Sequence, residues 1–550
     1  MKKMKRFAAF LLAMVMVTAS FTACGSSDDK KTGGSDDADG KKVIKIGFDY
    51  DASSLDPGMG SDDATLLPIR LCNEPLLRMV NGEAQPGIAE SYEASEDATE
   101  WTFHLRQSKW SDGTDLTAED FRYSILRMVN PESALDKANV CYFIKGAEEF
   151  ANGEGKEEDV AVEAVDEYTL KITAVRPVQV IEFTSVGFMP VKKDAVETAG
   201  ENYGAEADTI VTNGPFTATS WTHDSEIVMT KNENYWNADA IKLDEIHMMA
   251  GSQGDTAVDM MLTGSLDVCN FRKQVYIDSV TEDEAYDKLV CYSGSQALHL
   301  NHHGKTEETG KWLGNVNFRK ALSAAIDREA LVASVYTTDT PASGLIADTE
   351  KGVDGYFNDE YKVEGWSTSQ DVDAAKAYLA EAMKELGASD VSEIPTFTML
   401  AMDSEGNVTC LNAVADMWLN ALGIKCELDM QPVSEMISKA YSGDYDFWKG
   451  GNSPDVDILD NLANYSATEG IAGMPYEEDA EFEALYQKAV NAVTWKERKD
   501  GIAELAAHWT ENMMDLIVTW QAEYYVYNKN ITGIAINGYD VDFTYADIVE

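Results

Sequence analysis

The sequence predicts a large globular protein of the α/β or mixed α+β class. Stretches with the alternating hydrophobicity of strands are interspersed, along most of the chain, with stretches that carry apolar residues at helical spacing. The 550 residues are 44% hydrophobic and 10% aromatic, which permits a substantial buried core. The chain is therefore long enough for about two to four domains, or for one large bilobed unit.

The first 23 residues have the pattern of an export signal. Four cations precede an apolar run over 7–21, which is shorter than the roughly 20 residues that a membrane span needs. Small residues flank Cys24, and this arrangement resembles a bacterial lipobox, in which the cysteine is acylated and becomes the mature N-terminus. We expect a signal peptide over 1–23 and lipidation at Cys24; the alternative is an ordinary signal peptide with Cys24 merely near the cleavage point.

The segment 24–42 predicts a flexible tether between this anchor and the folded protein. From 26 to 42 it contains small and charged residues and no large apolar residue. Such a segment cannot bury enough surface to offset its ordering entropy. Its reach as a random coil is on the order of 20 Å. The alternative is an ordinary disordered terminus.

The charge balance excludes one class of partner. The formal net charge is −52, and such a field repels phosphate polyanions, so we predict that the chain does not bind nucleic acid. Most of the carboxylates are explained as a solubilising surface. Beyond the signal peptide, no stretch is long and apolar enough to cross a bilayer.

The cysteines predict no metal site. None of the six beyond Cys24 forms a C-x-x-C pair or a zinc-like spacing. Pairing of Cys410 with Cys426 across a helix-to-strand turn is conceivable, and free buried thiols are an equal alternative.

Capping and turn residues indicate where several elements begin and end. These signals predict, in chain order, a strand over 43–48, a helix after the capping box at 117–120, a helix over 317–335, a helix over 371–386 ended by Gly387, a helix over 413–422 ended by Gly423, a strand over 424–428, and one or two helices over 482–509.

Short motifs in a distinctive order carry a family resemblance. They are SLDP at 54–57, NEPLL at 73–77, PGIAES at 86–91, WTFHLR at 101–106, WSDGT at 110–114, TNGPF at 212–216, GSLD at 264–267, NFRKAL at 317–322, AIDRE at 325–329, LGI at 422–424 and GDYD at 443–446. Each motif alone has a plain explanation as turn or capping chemistry. Together they resemble family 5 of the extracellular solute-binding proteins, the oligopeptide- and dipeptide-binding receptors of ABC importers.

The resemblance implies a two-lobed periplasmic-binding-protein-like fold, with an extra subdomain inserted in the first lobe and a two-strand hinge. The implied boundaries are lobe one over 43–74, 206–297 and 522–550, the inserted subdomain over 75–205, and lobe two over 298–521. Closure of the lobes around a ligand would convert affinity into a shape that a membrane permease can recognise.

The resemblance also places a ligand ammonium at a lobe-two loop. By spacing, Asp455 falls on the acidic position that holds the α-ammonium of a peptide, and Lys449 on a basic position that can meet a ligand carboxylate. Gly451 and Asn452 belong to the same loop. Asp457 and Asp460 are rivals for the acidic role, and a solvated turn aspartate is the alternative for Asp455 itself.

On the opposite side of the implied cleft, the resemblance places Tyr50, Asp51 and Ser53 in the lobe-one strand that pairs with the ligand backbone. It places Tyr142, Trp520 and Tyr525 at pocket walls. Core packing is the alternative for each of these aromatic residues.

A small histidine group, His299, His302 and His303, could form part of a metal or haem site, because some family members carry nickel chelates or haem. No cysteine or carboxylate spacing completes such a site, so we expect a histidine pair on the hinge strand without a metal and no cofactor. No G-x-S-x-G or H-E-x-x-H motif is present, and we predict that the chain is not an enzyme.

The resemblance therefore implies a lipid-anchored, monomeric receptor on the outer face of the membrane of a Gram-positive bacterium. It would capture oligopeptides between two closing lobes and deliver them to the permease subunits of an ABC importer. Three alternatives stay open: binding of oligosaccharides, binding of a metal chelate, and sensing of peptide signals without uptake. Tyr445, Trp448, Tyr465 and Trp520 keep the oligosaccharide alternative open.

Overall fold

The computed structural model describes residues 40–60, 62–133, 135–453, 457–467, 479–537 and 540–549. All of these residues belong to one compact unit. The predicted signal peptide, the lipidation at Cys24, most of the tether and the predicted ammonium ligand Asp455 lie outside the described residues.

The strands, in chain order, are β1 (Val43–Gly47), β2 (Leu77–Val80), β3 (Glu83–Pro86), β4 (Ala89–Ala94), β5 (Glu100–Leu105), β6 (Ser108–Lys109), β7 (Asp115–Leu116), β8 (Val162–Asp166), β9 (Thr169–Thr173), β10 (Phe216–Thr222), β11 (Glu226–Lys231), β12 (Glu245–Met249), β13 (Val268–Phe271), β14 (Tyr286–Leu300), β15 (Thr340–Pro341), β16 (Phe397–Met402), β17 (Cys426–Gln431), β18 (Phe447–Asn452), β19 (Leu516–Asn528), β20 (Ile531–Thr532), β21 (Ala535–Asn537), β22 (Asp540–Asp542) and β23 (Asp547–Ile548).

The α-helices, in chain order, are α1 (Asp63–Cys72), α2 (Ala118–Met128), α3 (Ala147–Ala151), α4 (Lys193–Ala199), α5 (Gly254–Leu262), α6 (Gln274–Thr281), α7 (Glu307–Leu313), α8 (Val316–Ala324), α9 (Arg328–Ser334), α10 (Phe357–Tyr361), α11 (Val372–Leu386), α12 (Glu405–Leu422), α13 (Val433–Ser442), α14 (Ile458–Leu462), α15 (Ala480–Val490) and α16 (Trp495–Asn512).

Local capping explains why some sequence predictions are confirmed and others are wrong. The α11 prediction is confirmed: Asp371 caps its start, and Gly387 ends it at φ 72°. The prediction of one helix over 317–335 is wrong, because the side chain of Asp327 accepts a hydrogen bond from the Ala330 amide and starts a second helix, α9. The helix predicted over 413–422 begins earlier, at Glu405.

One sheet of eleven strands runs through both lobes, in the order β10-β11-β12-β1-β13-β19-β14-β18-β16-β17, with β15 also paired to β19. The long antiparallel strands β14 and β19 form its centre, and we call them the hinge strands. β13 pairs with one end of β19, whereas β18 pairs with the other end of β14. The two lobes are therefore built on opposite ends of the same two-strand ribbon.

The hinge strands are irregular where the two halves of the sheet meet. The register between them shifts between Tyr292 and Gly294, and again between Gln296 and Ala297. Such bulges bend and twist a strand locally. A Cβ atom at Gly294 would lie 2.1 Å from the carbonyl oxygen of Asn452, so this close approach of β14 and β18 requires glycine.

Separate hydrophobic clusters fill the parts of the molecule. One cluster includes Ile44 and Ile246 of the lobe-one sheet, a second extends from Leu76 to Phe188 around the four-stranded sheet β4-β5-β9-β8, and others occupy lobe two. The second cluster is the core of the inserted subdomain. The domain boundaries given above stay predictions.

Candidate ligand-binding site

A cavity of about 490 Å³ lies beside the bulged part of the hinge strands. Residues from three parts of the chain line it. They are Met79, Asn81, Gly82 and Ile181 from the inserted subdomain side; Val290, Tyr292, Gly294, Ser295 and Trp520 from the hinge strands; and Leu345, Ile346, Glu350, Asn452, Ile458, Tyr465, Trp495, Lys499 and Trp509 from lobe two, with others. A volume of this size is in the range of small-molecule and peptide sites.

One edge of β14 is available at this cavity. The pairing of β14 with β18 ends at Ser295, and in the described part of the chain no strand pairs with this edge N-terminal to Ser295. Val290, Tyr292, Gly294 and Ser295 all line the cavity. An open strand edge presents main-chain donors and acceptors to an extended ligand.

The described walls of the cavity are mainly apolar, and the close ion pair found among them joins two wall residues. Lys499 Nζ lies 2.9 Å from Glu350 Oε1, and the Lys499 side chain is 1% exposed. Trp520 is buried, and its Nε1 has no hydrogen-bond partner among the described residues.

Polar contacts join the inserted subdomain to lobe two at the side of the cavity. Gln179 Nε2 donates to the carbonyl oxygens of Ala492 and Val493, at 2.9 and 3.3 Å. Arg498 Nη1 lies 3.7 Å from Glu182 Oε1. We call these the cross-cleft contacts.

Each charge of the cross-cleft contacts also has a partner on its own side. Arg498 donates to both carboxylate oxygens of Asp457, at 2.8 and 3.1 Å, and Arg176 donates to both oxygens of Glu182, at 3.2 and 2.6 Å. Burial by itself would raise the pKa of each carboxyl, but the neighbouring cations outweigh it and lower the pKa of both Asp457 and Glu182. Both groups are therefore ionised at neutral pH.

The predicted lobe-two loop falls at the C-terminal end of β18. Asn452 lines the cavity, and Gly451 pairs with Gln296 of β14. Lys449 is buried, contacts the side-chain oxygen of Gln296 and lies 5.6 Å from the Tyr336 ring; burial lowers its pKa. Lys449 is not among the described cavity-lining residues, and its role toward a ligand stays a prediction.

The rival acids differ in their surroundings. Asp457 is buried and already neutralised by Arg498, so it has no spare charge for a ligand ammonium. Asp460 accepts a hydrogen bond from the Asp457 amide at 3.2 Å. The role of Asp455 stays a prediction.

The lobe-one residues lie in an irregular segment, because β1 ends at Gly47 and does not continue as the expected strand. Tyr50 is 46% exposed. Asp51 accepts hydrogen bonds from the Trp221 indole and the Asp224 amide, each at 3.0 Å, and Ser53 bonds to Thr65.

Of the three aromatic residues predicted at pocket walls, Trp520 lines the cavity. Tyr142 is half-buried, and Tyr525 is buried in the lobe-one core. Neither of these two, nor Tyr50, Asp51 or Ser53, is among the described cavity-lining residues, and their contacts with a ligand stay predictions.

The histidine group has internal partners. His299 Nδ1 lies 2.7 Å from Asp515 Oδ2, and Tyr465 donates to the same oxygen at 2.6 Å. His302 is half-buried, and desolvation lowers its pKa. Over the described ranges, no group of three or more His, Cys, Asp or Glu residues could hold a metal ion. None of the six cysteines beyond Cys24 forms a disulfide, so Cys410 and Cys426 are not paired, and five of the six are buried.

The sequence did not predict several residues of lobe two and the inserted subdomain that lie at the cavity or beside it. None of the sequence motifs described above contains these residues, which are Gln179, Glu182, Trp495, Arg498 and Lys499. The sequence carries no signal for Arg498 and Lys499, because two adjacent cations both fit on the solvent face of an amphipathic helix, and only the structure shows that both are buried.

An α/β fold of two lobes, with a cavity beside the strands that connect them, defines a solute-binding protein of the periplasmic-binding-protein class. The family model described as "Bacterial extracellular solute-binding proteins, family 5 Middle" matches residues 83–473. The chain therefore belongs to family 5 of the bacterial extracellular solute-binding proteins. Its membership in this family of binding proteins confirms the prediction that it is not an enzyme.

Similar proteins cover nearly the whole chain. The oligopeptide-binding protein OppA of Bacillus subtilis is 28% identical over 97% of this chain and 98% of its own length. The dipeptide-binding protein DppE of the same organism is 26% identical over all of both chains.

Solved structures give the same result for the fold. The substrate-binding domain of an oligopeptide ABC transporter from Bacillus anthracis superposes with a TM-score of 0.72 at 25% identity, covering 93% of this chain and 99% of that one. The murein tripeptide binding protein MppA of Escherichia coli, at 23% identity, gives 0.74 over 93% and 99%. The predicted fold class is confirmed. Searched over the described residues, no helix has the length and apolar character needed to cross a membrane.

Proposed function

We propose that this chain is the lipid-anchored, extracellular substrate-binding protein of an ABC importer, and that it captures oligopeptides between its lobes and delivers them to the permease. Anchoring through Cys24, a Gram-positive host and a monomeric state belong to the same proposal. The similar proteins described as oligopeptide- and dipeptide-binding support the ligand class.

One observation carries the peptide part of the proposal. The cavity contains an open edge of β14, and an extended peptide can add to such an edge as a further strand. Main-chain hydrogen bonds supply affinity that does not depend on the peptide sequence.

Aromatic side chains on the cavity wall favour a second candidate, an oligosaccharide. Trp495 lines the cavity and is half-buried, so its ring could stack on a sugar ring. Calorimetry on the full chain with tripeptides and with cello-oligosaccharides separates the two ligands. Binding of tripeptides supports the proposal, whereas binding of cello-oligosaccharides alone would overturn it.

The ammonium ligand can be tested by substitution. Asp455→Ala is expected to weaken the binding of a tripeptide by about 2–5 kcal/mol, because a buried ammonium would lose its counter-charge. N-acetylated tripeptide should be affected far less. Asp444→Ala, at an aspartate whose side chain is 46% exposed, is the matched control. Equal losses for the free and acetylated peptides would remove Asp455 from this role.

The anchor has its own test. Cys24→Ser is expected to release the protein from the membrane fraction into the medium, because an acyl chain supplies the membrane affinity. Retention of the variant in the membrane fraction would argue against lipidation at Cys24.

A further inference from the structure

The chemical character of the cavity goes beyond general peptide binding. A site that accepts any side chain needs room for water and polar partners around each one. The described lining of this cavity is instead mostly apolar: Leu345, Ile346, Ile458, Trp495 and Trp520 belong to it, beside a smaller number of polar residues such as Asn461. Four of these five apolar residues lie on lobe-two segments, whereas Trp520 belongs to hinge strand β19.

Two of the three charged residues in the described wall are paired with each other, and the third is exposed. Lys499 and Glu350 form the 2.9 Å ion pair described above. The ammonium group of Lys351 lies 4.5 Å from the centre of the Tyr356 ring, a cation–π distance. A charged ligand side chain that entered this cavity would lose its hydration, and among the described lining residues the cation without an ion pair, Lys351, is solvent-exposed and adds little as a counter-charge.

We propose that the cavity selects peptides that carry one large apolar side chain and discriminates against charged side chains at that position. This inference rests on the proposed peptide-binding function and adds the class of peptide. The open β14 edge would hold the peptide main chain, and the apolar wall would take the side chain.

The test is calorimetry on the full chain with a tri-alanine host, in which Leu, Phe, Lys or Glu replaces each alanine in turn. At one position, Leu or Phe is expected to bind about 10- to 100-fold more tightly than Ala, the ratio that burial of a large apolar side chain supplies. Lys and Glu at that position are expected to bind at least about 10-fold more weakly than Ala.

A variant makes the test specific to the wall. Ile458 lines the cavity and is only half-buried, so Ile458→Glu is compatible with folding. It is expected to abolish the Leu preference and to improve the Lys guest about 10-fold. Ile437→Glu, at an isoleucine that is 39% exposed and outside the described lining, is the matched control and should keep the wild-type preference. Thermal unfolding of both variants checks that they fold.

The outcomes separate this inference from the proposed function. If peptides bind but all guests bind equally at every position, the apolar selection is wrong and peptide binding stands. The same holds if Ile437→Glu changes the preference as much as Ile458→Glu. If no peptide binds, both proposals are overturned.

Discussion

Two buried arginines, Arg78 and Arg498, both form ion pairs with carboxylates, but the two networks differ in how tightly they join separate parts of the chain. Arg78, at the start of the inserted subdomain, donates to Glu74 at 2.5 Å, to Asp542 at 2.6 Å and to Thr544 at 2.7 Å. Arg498, in lobe two, binds Asp457 at 2.8 Å but reaches Glu182 of the subdomain only at 3.7 Å.

The two arginines differ in whether their partner carboxylates have another cation nearby. This difference decides what happens when the arginine is removed or when the lobes move apart. Arg78 holds Glu74 and Asp542 together, and removal would leave two buried carboxylates without their cation. Arg498 and Glu182 each keep a close partner on their own side of the cleft. Separation of the lobes would therefore leave no unpaired buried charge. We infer that the first network is a permanent part of the structure and that the second tolerates opening of the cleft.

The largest expected effect tests the permanent network. Arg78→Met should lower the free energy of unfolding by about 3–5 kcal/mol, because breaking a buried ion pair leaves its partner charged and desolvated. Urea denaturation measures the change. Arg122→Met, at an exposed arginine paired with Glu119, is the control and should stay within about 0.5 kcal/mol of wild type. A similar loss in both variants would contradict the comparison.

A third network, on hinge strand β19, contains two carboxylates that share one arginine. It allows a test of how burial and a neighbouring negative charge change the pKa of a carboxyl group. Glu523 and Asp63 share Arg272, at 3.2 and 3.1 Å. Burial, together with the negative charge of Asp63, raises the pKa of Glu523 to about 8. The folded state therefore keeps this proton at a pH where the unfolded chain, with a pKa near 4.3, has lost it.

The raised pKa of Glu523 makes the folded state less stable at high pH than at low pH. Because the folded state binds the proton more tightly, stability from this group is fully present below about pH 4 and is lost as pH rises toward about 8. Glu523→Gln should remove this decline and raise the free energy of unfolding at pH 8 by about 1–3 kcal/mol. Thermal unfolding of both proteins from pH 5 to pH 8.5 measures it. Parallel pH profiles would show that Glu523 ionises normally.

The smallest expected effect concerns the cross-cleft contacts. Glu182→Gln should lower the free energy of unfolding by about 1–2 kcal/mol, because Arg176 loses its paired carboxylate, whereas Arg498 keeps Asp457. It should weaken peptide binding about 2- to 5-fold by removing one attraction present when the lobes are together. Glu100→Gln, at an exposed pair with Lys171, is the control. Unchanged affinity would remove Glu182 from the closed state.

Much of the fold could be predicted from the sequence because its signals are local. The Asp371 cap and the Gly387 terminus define α11 within one segment, and the ordered motifs indicate the family. The division of the 317–335 region into α8 and α9 could not be predicted from periodicity, because the apolar spacing continues through the break.

The candidate site could be predicted only in part. Asn452 and Trp520 were predicted and line the cavity. Lys499 and Ile181 were not, because each comes from a segment whose pattern indicates only a helix or a core position. Asp455, on which the ammonium prediction depends, lies outside the described residues.

The sequence by itself determined the class of fold, the ends of some elements such as α11, and the family, since each depends on the order of neighbouring residues. The tertiary structure alone decided which of 96 acidic side chains are neutralised in the interior. Asp457 and Arg498 are 41 positions apart, and Arg498 and Glu182 come from different parts of the chain. The charge state of a buried carboxyl depends on distances through space, and those distances exist only once the chain has folded.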